Sequence, residues 1–256
     1  MTMRQRALAV ILLLGLGLLA GCAIAPYRAH PQFEERSRTI KTVALLPANV
    51  KVYRLTAGGV RELMDEWSEE GRQNVVKAIA KRVGAEGRFV LKEFDPGQAP
   101  AAKEEFEEAR PLFEAVTSSV WQHTYLPDTT FQTKKERFDY TLGPLESLAA
   151  AAEADALLFV QAWDHISTGG RVALNVFMVL LGAAAGVIII PAGGHTGIVT
   201  ALVDPKTGDV LWFNVKGSGG AHNLREAASA ESLVADAFEE FKKLAARGKL
   251  SVEKKE

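Results

Sequence analysis

Apolar and polar positions alternate along this chain in stretches of two distinct periods. Ile40 to Pro47 is a β-branched and apolar run closed by proline, the pattern of a buried strand, and Lys51 to Leu55 extends it or adds a short second strand. After Gly58-Gly59, the residues Val60, Leu63, Met64, Trp67, Val75, Val76, Ile79 and Val83 recur mostly at three- and four-residue steps. That spacing predicts an amphipathic helix with Trp67 in the core. Gly87 to Phe94 reads as a strand ended by the turn Asp95-Pro96-Gly97. Ala101 to Trp121 is helical in pattern, kinked or split at Pro111, and residues 122–141 are polar and irregular, as in a loop. Leu145 to Ala154 is a short alanine-rich helix with Pro144 at its start, and Ala156 to Trp163 is a strong strand. Ile198 to Val203 and Val210 to Val215, joined by Asp204 to Asp209, form a hairpin. Arg225 to Leu244 carries one apolar stripe, with acids early and bases late as the helix dipole prefers.

Strands that alternate with helices, and no Pro- or Ser-rich linker between 40 and 247, predict one α/β (α+β) domain over residues 39–247. Its centre would be a mixed β-sheet flanked by helices. Residues 248–256 read as a charged tail.

One stretch does not fit this scheme. Val172 to Ala192 carries no charge and has Asn175 as its one polar residue, close to the roughly 20 apolar residues that a spanning helix needs. Gly169-Gly170 and Gly193-Gly194 bracket it. It can be read as a span, as a helix or hairpin buried under the sheet, or as an exposed insertion touching the bilayer or a partner subunit. A span would part the hairpin at 198–215 from the strand at 156–163, which it should join. Membrane or partner contact is therefore the preferred reading, with Val172, Phe177, Leu181, Gly182, Gly186 and Ile189 as the contact residues.

The amino terminus reads as an address. Arg4 and Arg6 precede the uncharged, leucine-rich run Ala7 to Ala20, which is too short for a comfortable span. Leu19-Ala20-Gly21-Cys22 follows, and Cys22 is the one cysteine in the chain. This resembles the lipobox of bacterial lipoproteins. The resemblance implies a signal peptide over 1–21, removed before a Cys22 that becomes lipidated, for example with palmitate. The same resemblance implies, from Ala23 in place of an aspartate after the cysteine, the outer membrane facing the periplasm. Residues 22–38, with Pro26, Pro31 and mixed charges, read as a flexible tether.

Charge and candidate chemistry narrow the function. A formal net charge of −1 over 256 residues leaves no electrostatic footprint for nucleic acid. One cysteine excludes an intramolecular disulfide framework and zinc sites built on several thiolates. None of the five histidines has an HExxH spacing, and the glycine-rich stretches 191–197 and 216–220 match neither a P-loop nor a dinucleotide turn. No metal site or cofactor is expected. Asp164, His165 and His195 remain as an alternative, the acid and base of a periplasm-facing hydrolase or the polar groups of a small-molecule site.

The early strand Thr42 to Pro47, the strand around Ala154 to Val160 and the hairpin Asp204 to Trp212 together resemble envelope lipoproteins with a TolB amino-terminal-like or curli-secretion-lipoprotein-like α/β domain. Relatives in that group include lipoprotein activators of penicillin-binding proteins. The resemblance implies a non-enzymatic role in secretion or envelope assembly, with a protein partner or homo-oligomer. Insertions in the curli-secretion branch supply membrane hairpins, but 172–192 lacks the alternating polar residues of a pore lining.

Overall fold

The computed structural model describes residues 27–84, 89–187 and 193–253, with the side chains of residues 242–253 left aside. The elements run β1 (Tyr27–Ala29), α1 (Phe33–Arg36), β2 (Thr42–Leu45), β3 (Asn49–Leu55), β4 (Arg61–Leu63), α2 (Asp65–Gly84) and β5 (Val90–Glu93). They continue with α3 (Pro100–Val120), α4 (Gln132–Arg137), α5 (Glu146–Ala152), β6 (Ala156–Ser167), α6 (Gly169–Ala184), β7 (Thr196–Val203), β8 (Val210–Ser218) and α7 (Ala227–Glu253).

The expected mixed α/β sheet is present. The strand order is β1-β8-β7-β6-β2-β5, with β3 beside the second half of β6 and β4 outside β3. β6 is the organising strand. Its first residues pair in parallel with β2 (Val43 with Ala156), and its later ones pair in parallel with β3 (Tyr53 with His165). Its other edge pairs antiparallel with β7 from Leu157–Val203 to Asp164–Thr196. Every residue of β7 is buried, as expected of a central strand covered on both faces.

The pleat of β6 sends alternate residues to two cores. Leu158, Val160 and Ala162 pack with Ile79 of α2 and with Leu233, Val234, Phe238 and Phe241 of α7. Leu157 and Phe159 pack with Phe113 and Val120 of α3 and Leu148 of α5. The β7–β8 turn is docked by a backbone approach no side chain could share: a Cβ on Gly208, whose φ is +74°, would stand 1.9 Å from the Gly143 carbonyl oxygen. Asp155 accepts from the backbone N–H groups of Lys41 and Thr42, at 2.9 Å each, and these bonds hold its carboxyl below the usual range.

Several expectations are corrected. The tether does not extend to Arg38. Tyr27–Ala29 pairs antiparallel with β8, Phe33 is buried in the core, and Arg36 bonds Asp204 at 2.5 Å and Asp209 at 2.7 Å. Pro26 and Pro31 suggested flexibility, but an apolar residue on α1 and a strand partner outweigh them. Val60, Leu63 and Met64 do not belong to the following helix. Thr56 and Gly59 form a turn, and β4 folds back on β3 with Tyr53 opposite Leu63. Pro111 neither splits nor ends α3, which runs through it. Pro111 and Glu107 both face solvent, so the carbonyl the proline leaves unbonded meets water. Residues 122–141 are not a plain loop: they contain a π-turn (Trp121–Tyr125), a short 3₁₀ turn (Pro127–Thr129) and α4.

Candidate functional site

Two features stand at one end of the sheet, where β3 and β6 finish and β7 begins. The first is α6. Thr168 caps it, its hydroxyl accepting from Arg171 N–H at 3.3 Å. Arg171 Nη1 donates to the Thr56 carbonyl at 3.3 Å, which ties the first turn of α6 to the β3–β4 turn. Beyond that turn the helix is apolar and bare. Phe177 is 59% exposed, Leu180 64% and Leu181 51%, and Val172, Leu174, Val176 and Val179 are exposed with them. At about 100° per residue these positions cover well over half of the circumference, and the less exposed Arg171, Asn175 and Gly182 share the remaining stripe. Gly182 alone of the expected contact residues is buried, and Gly186 is exposed with φ at +71°. Ile189 lies outside the described residues, as do Cys22 and the 1–21 segment.

This arrangement removes two of the three readings of 172–192. The segment's described part, 172–187, is not packed under the sheet, because its large side chains meet solvent. It is not a single crossing either. Asp164 pairs with Thr196 and His165 N–H donates to the His195 carbonyl, so both ends of the insertion sit on one side of any membrane. Among the described residues no helix is long and apolar enough to cross a bilayer. The exposed insertion is what remains.

The second feature is a row of rings on the α3 side of the sheet, at the end where β3 and β6 finish. Tyr53 stacks on His165 with centroids 4.9 Å apart, and His165 stacks on His195 at 4.0 Å. Parallel register places Tyr53 beside His165, and the β6–β7 pairing brings His195 to its other side. Trp163, two residues earlier on the same face, lies over Gly197: a Cβ there would stand 2.3 Å from the indole. Lys51, Arg61, Gln161, Trp163 and His165 line an open depression of about 450 Å³. His165 is buried, and its Nδ1 meets no hydrogen-bond partner among the described residues. Burial, and after it the neighbouring His195, push its pKa below the ordinary imidazole value.

The structure brings His165 and His195 together but keeps Asp164 from them. Adjacent residues of a strand point to opposite faces. Asp164 lies on the α7 side, where its carboxylate accepts from Thr196 Oγ1 at 2.8 Å and Leu224 N–H at 2.9 Å. Burial raises its pKa against those bonds. It is a buried clasp between β7 and the segment leading to α7, not the orienting acid of a histidine base, so the acid–base trio is not assembled. Tyr53 was missed in the sequence because only the long-range register makes it a neighbour of His165.

The fold and this end of the sheet together define a mixed α/β domain with an apolar helix projected from the junction of two central antiparallel strands. No family model matches the chain, and no curated protein matches it. Among solved structures it is similar to the PelC dodecamer from Paraburkholderia phytofirmans, at 10% identity and a TM-score of 0.34 over 83% of this chain and 91% of that one. It is also similar to the LpoB C-terminal domain from Salmonella enterica, at 13% identity and a TM-score of 0.25 over 74% and 95%. A third is lipoprotein GNA1162 from Neisseria meningitidis, at 11% identity and a TM-score of 0.30 over 79% and 99%. At these identities and TM-scores the likenesses carry no argument about what the chain does.

Proposed function

We propose that the protein is a non-catalytic lipoprotein of the bacterial cell envelope. Residues 1–21 direct export and are removed, and lipidated Cys22 holds the domain on a membrane. Ala23 after the cysteine supports the outer membrane, with the domain facing the periplasm. The domain works by contact, in envelope assembly, secretion or the binding of a partner or second copy. The observation that carries this reading is α6, a helix with large apolar side chains exposed over well over half of its circumference. A water-soluble domain does not keep such a surface without something to cover it. The separation of Asp164 from the histidine stack counts against a hydrolase.

The test is fatty-acid labelling of the full chain and of Cys22→Ser in a bacterial host, with mass analysis of the mature product. Label on a chain that begins at Cys22, absent from C22S, is expected. An unlabelled chain that keeps residues 1–21 would overturn the reading.

A further inference from the structure

Building on the lipid-anchored reading, we infer that α6 is inserted into one leaflet of the same bilayer that holds Cys22, so that the domain is gripped at two points with the β6–β7 end of its sheet against the lipid. The argument begins with the direction of β1. Tyr27 pairs with Asn214 and Ala29 with Trp212, so β1 runs from the Ser218 end of β8 toward its start. Continued backward from Tyr27, the line of β1 points to the end of the sheet where β8 finishes, β7 begins and α6 departs.

Reach then sets the distance. Cys22 and Tyr27 are five residues apart, which spans at most about 18 Å. The four residue rises of β8 from Asn214 to Ser218 take up about 13 Å of that. An acylated Cys22 directed along this line draws the bilayer to within a few ångströms of the sheet end, at the base of α6. The opposite end, where Val90 begins β5 and Ala156 begins β6, points away from the lipid.

The side chains of α6 suit that position. A helix lying flat on a membrane surface shows one apolar stripe and one polar face, whereas a helix apolar all round is immersed. The exposed positions of α6 from Val172 to Leu181 are all apolar, and its one polar side chain there is the half-buried Asn175, so it lacks the charged face of a surface-lying helix. Its 16 residues measure about 24 Å, short of the roughly 30 Å hydrocarbon core. The paired strands on either side return the chain to the face it left. Length and topology together limit the helix to partial penetration. The rim fits a headgroup layer as well. Arg171 at the base of α6, exposed Arg61 on β4 and Lys216 on β8 stand at this end, and Val60 in the β3–β4 turn is 59% exposed beside them.

Lipidation consumes the one native thiol, so a cysteine placed elsewhere becomes a unique labelling site. Lipidated Phe177→Cys, Leu180→Cys and Val90→Cys proteins, each carrying an environment-sensitive fluorophore, would be reconstituted into phosphatidylethanolamine–phosphatidylglycerol vesicles. The expected result is a blue shift and several-fold protection from an aqueous quencher at 177 and 180, with position 90 remaining open to water. Lipid-borne quenchers should place neither helix probe beyond the bilayer midplane. Vesicle-bound, lipidated protein whose helix probes stay in water would overturn the insertion while leaving the anchor reading intact. Protection that appears equally in lipid-free oligomers would overturn it in favour of a second copy as the cover. Absence of acylation at Cys22, read from the mass, would instead overturn the anchor reading.

Discussion

His165 shows how one side chain records its surroundings. It is 7% exposed, clamped between the rings of Tyr53 and His195, and burial favours its neutral form. A folded-state pKa below the unfolded one means that, as pH falls, the unfolded chain takes up a proton before the folded one does. The stability that His165 contributes is thus present above the ordinary histidine pKa of 6.5 and is lost as pH drops toward the folded value. Denaturant unfolding should show lower stability at about pH 5.5 than at about pH 7.5, part of it from this residue. The loss should shrink in His165→Phe, which keeps the stack without the titration. An equal loss in both proteins would assign the effect to other groups.

At the scale of elements, β1 and α1 carry a consequence that a flexible tether would not. Phe33 sits in the core beside Phe241, with ring centroids 6.4 Å apart, and Arg36 fastens the end of α1 to the β7–β8 turn. Phe33→Ala should cost about 3–5 kcal/mol in equilibrium unfolding. A cost below about 0.5 kcal/mol would mean that the segment does not pack as described. Strand and helix identities were largely legible where the apolar period was long and regular, as in β6, β7, β8 and α7. They failed where a short segment owed its form to a distant partner. β1 exists through β8. β4 exists because the Thr56–Val60 turn returns the chain to β3, a turn that the helical spacing of Val60, Leu63 and Met64 concealed.

For the molecule as a whole, α6 is an addition to a core that is complete without it. Its large side chains take part in neither of the two apolar clusters, and its hold on the domain is at its first turn. Replacing residues 169–193 with a short Asn-Gly turn joins two strands that are already antiparallel neighbours. The domain's unfolding free energy should change by no more than about 0.5 kcal/mol. A large loss, or a chain that no longer folds, would show that the helix supports the sheet. The histidine stack and the helix share one end of the sheet, so this excision also separates the ring cluster from whatever α6 contacts.

The sequence by itself determined the α/β class, the long strands and helices, and the presence of an uncharged stretch out of keeping with the rest, since these follow from local hydrophobic period and composition. It also carried the signal and cysteine pattern at 1–22. Only the tertiary structure decided which side chains meet. Strand register set Tyr53 against His165 and turned Asp164 to the opposite face. Only the structure decided, too, that the large apolar side chains of α6 meet solvent, because exposure depends on what packs against a helix, and local sequence does not encode that. The direction of β1 is likewise a property of pairing across nearly two hundred residues.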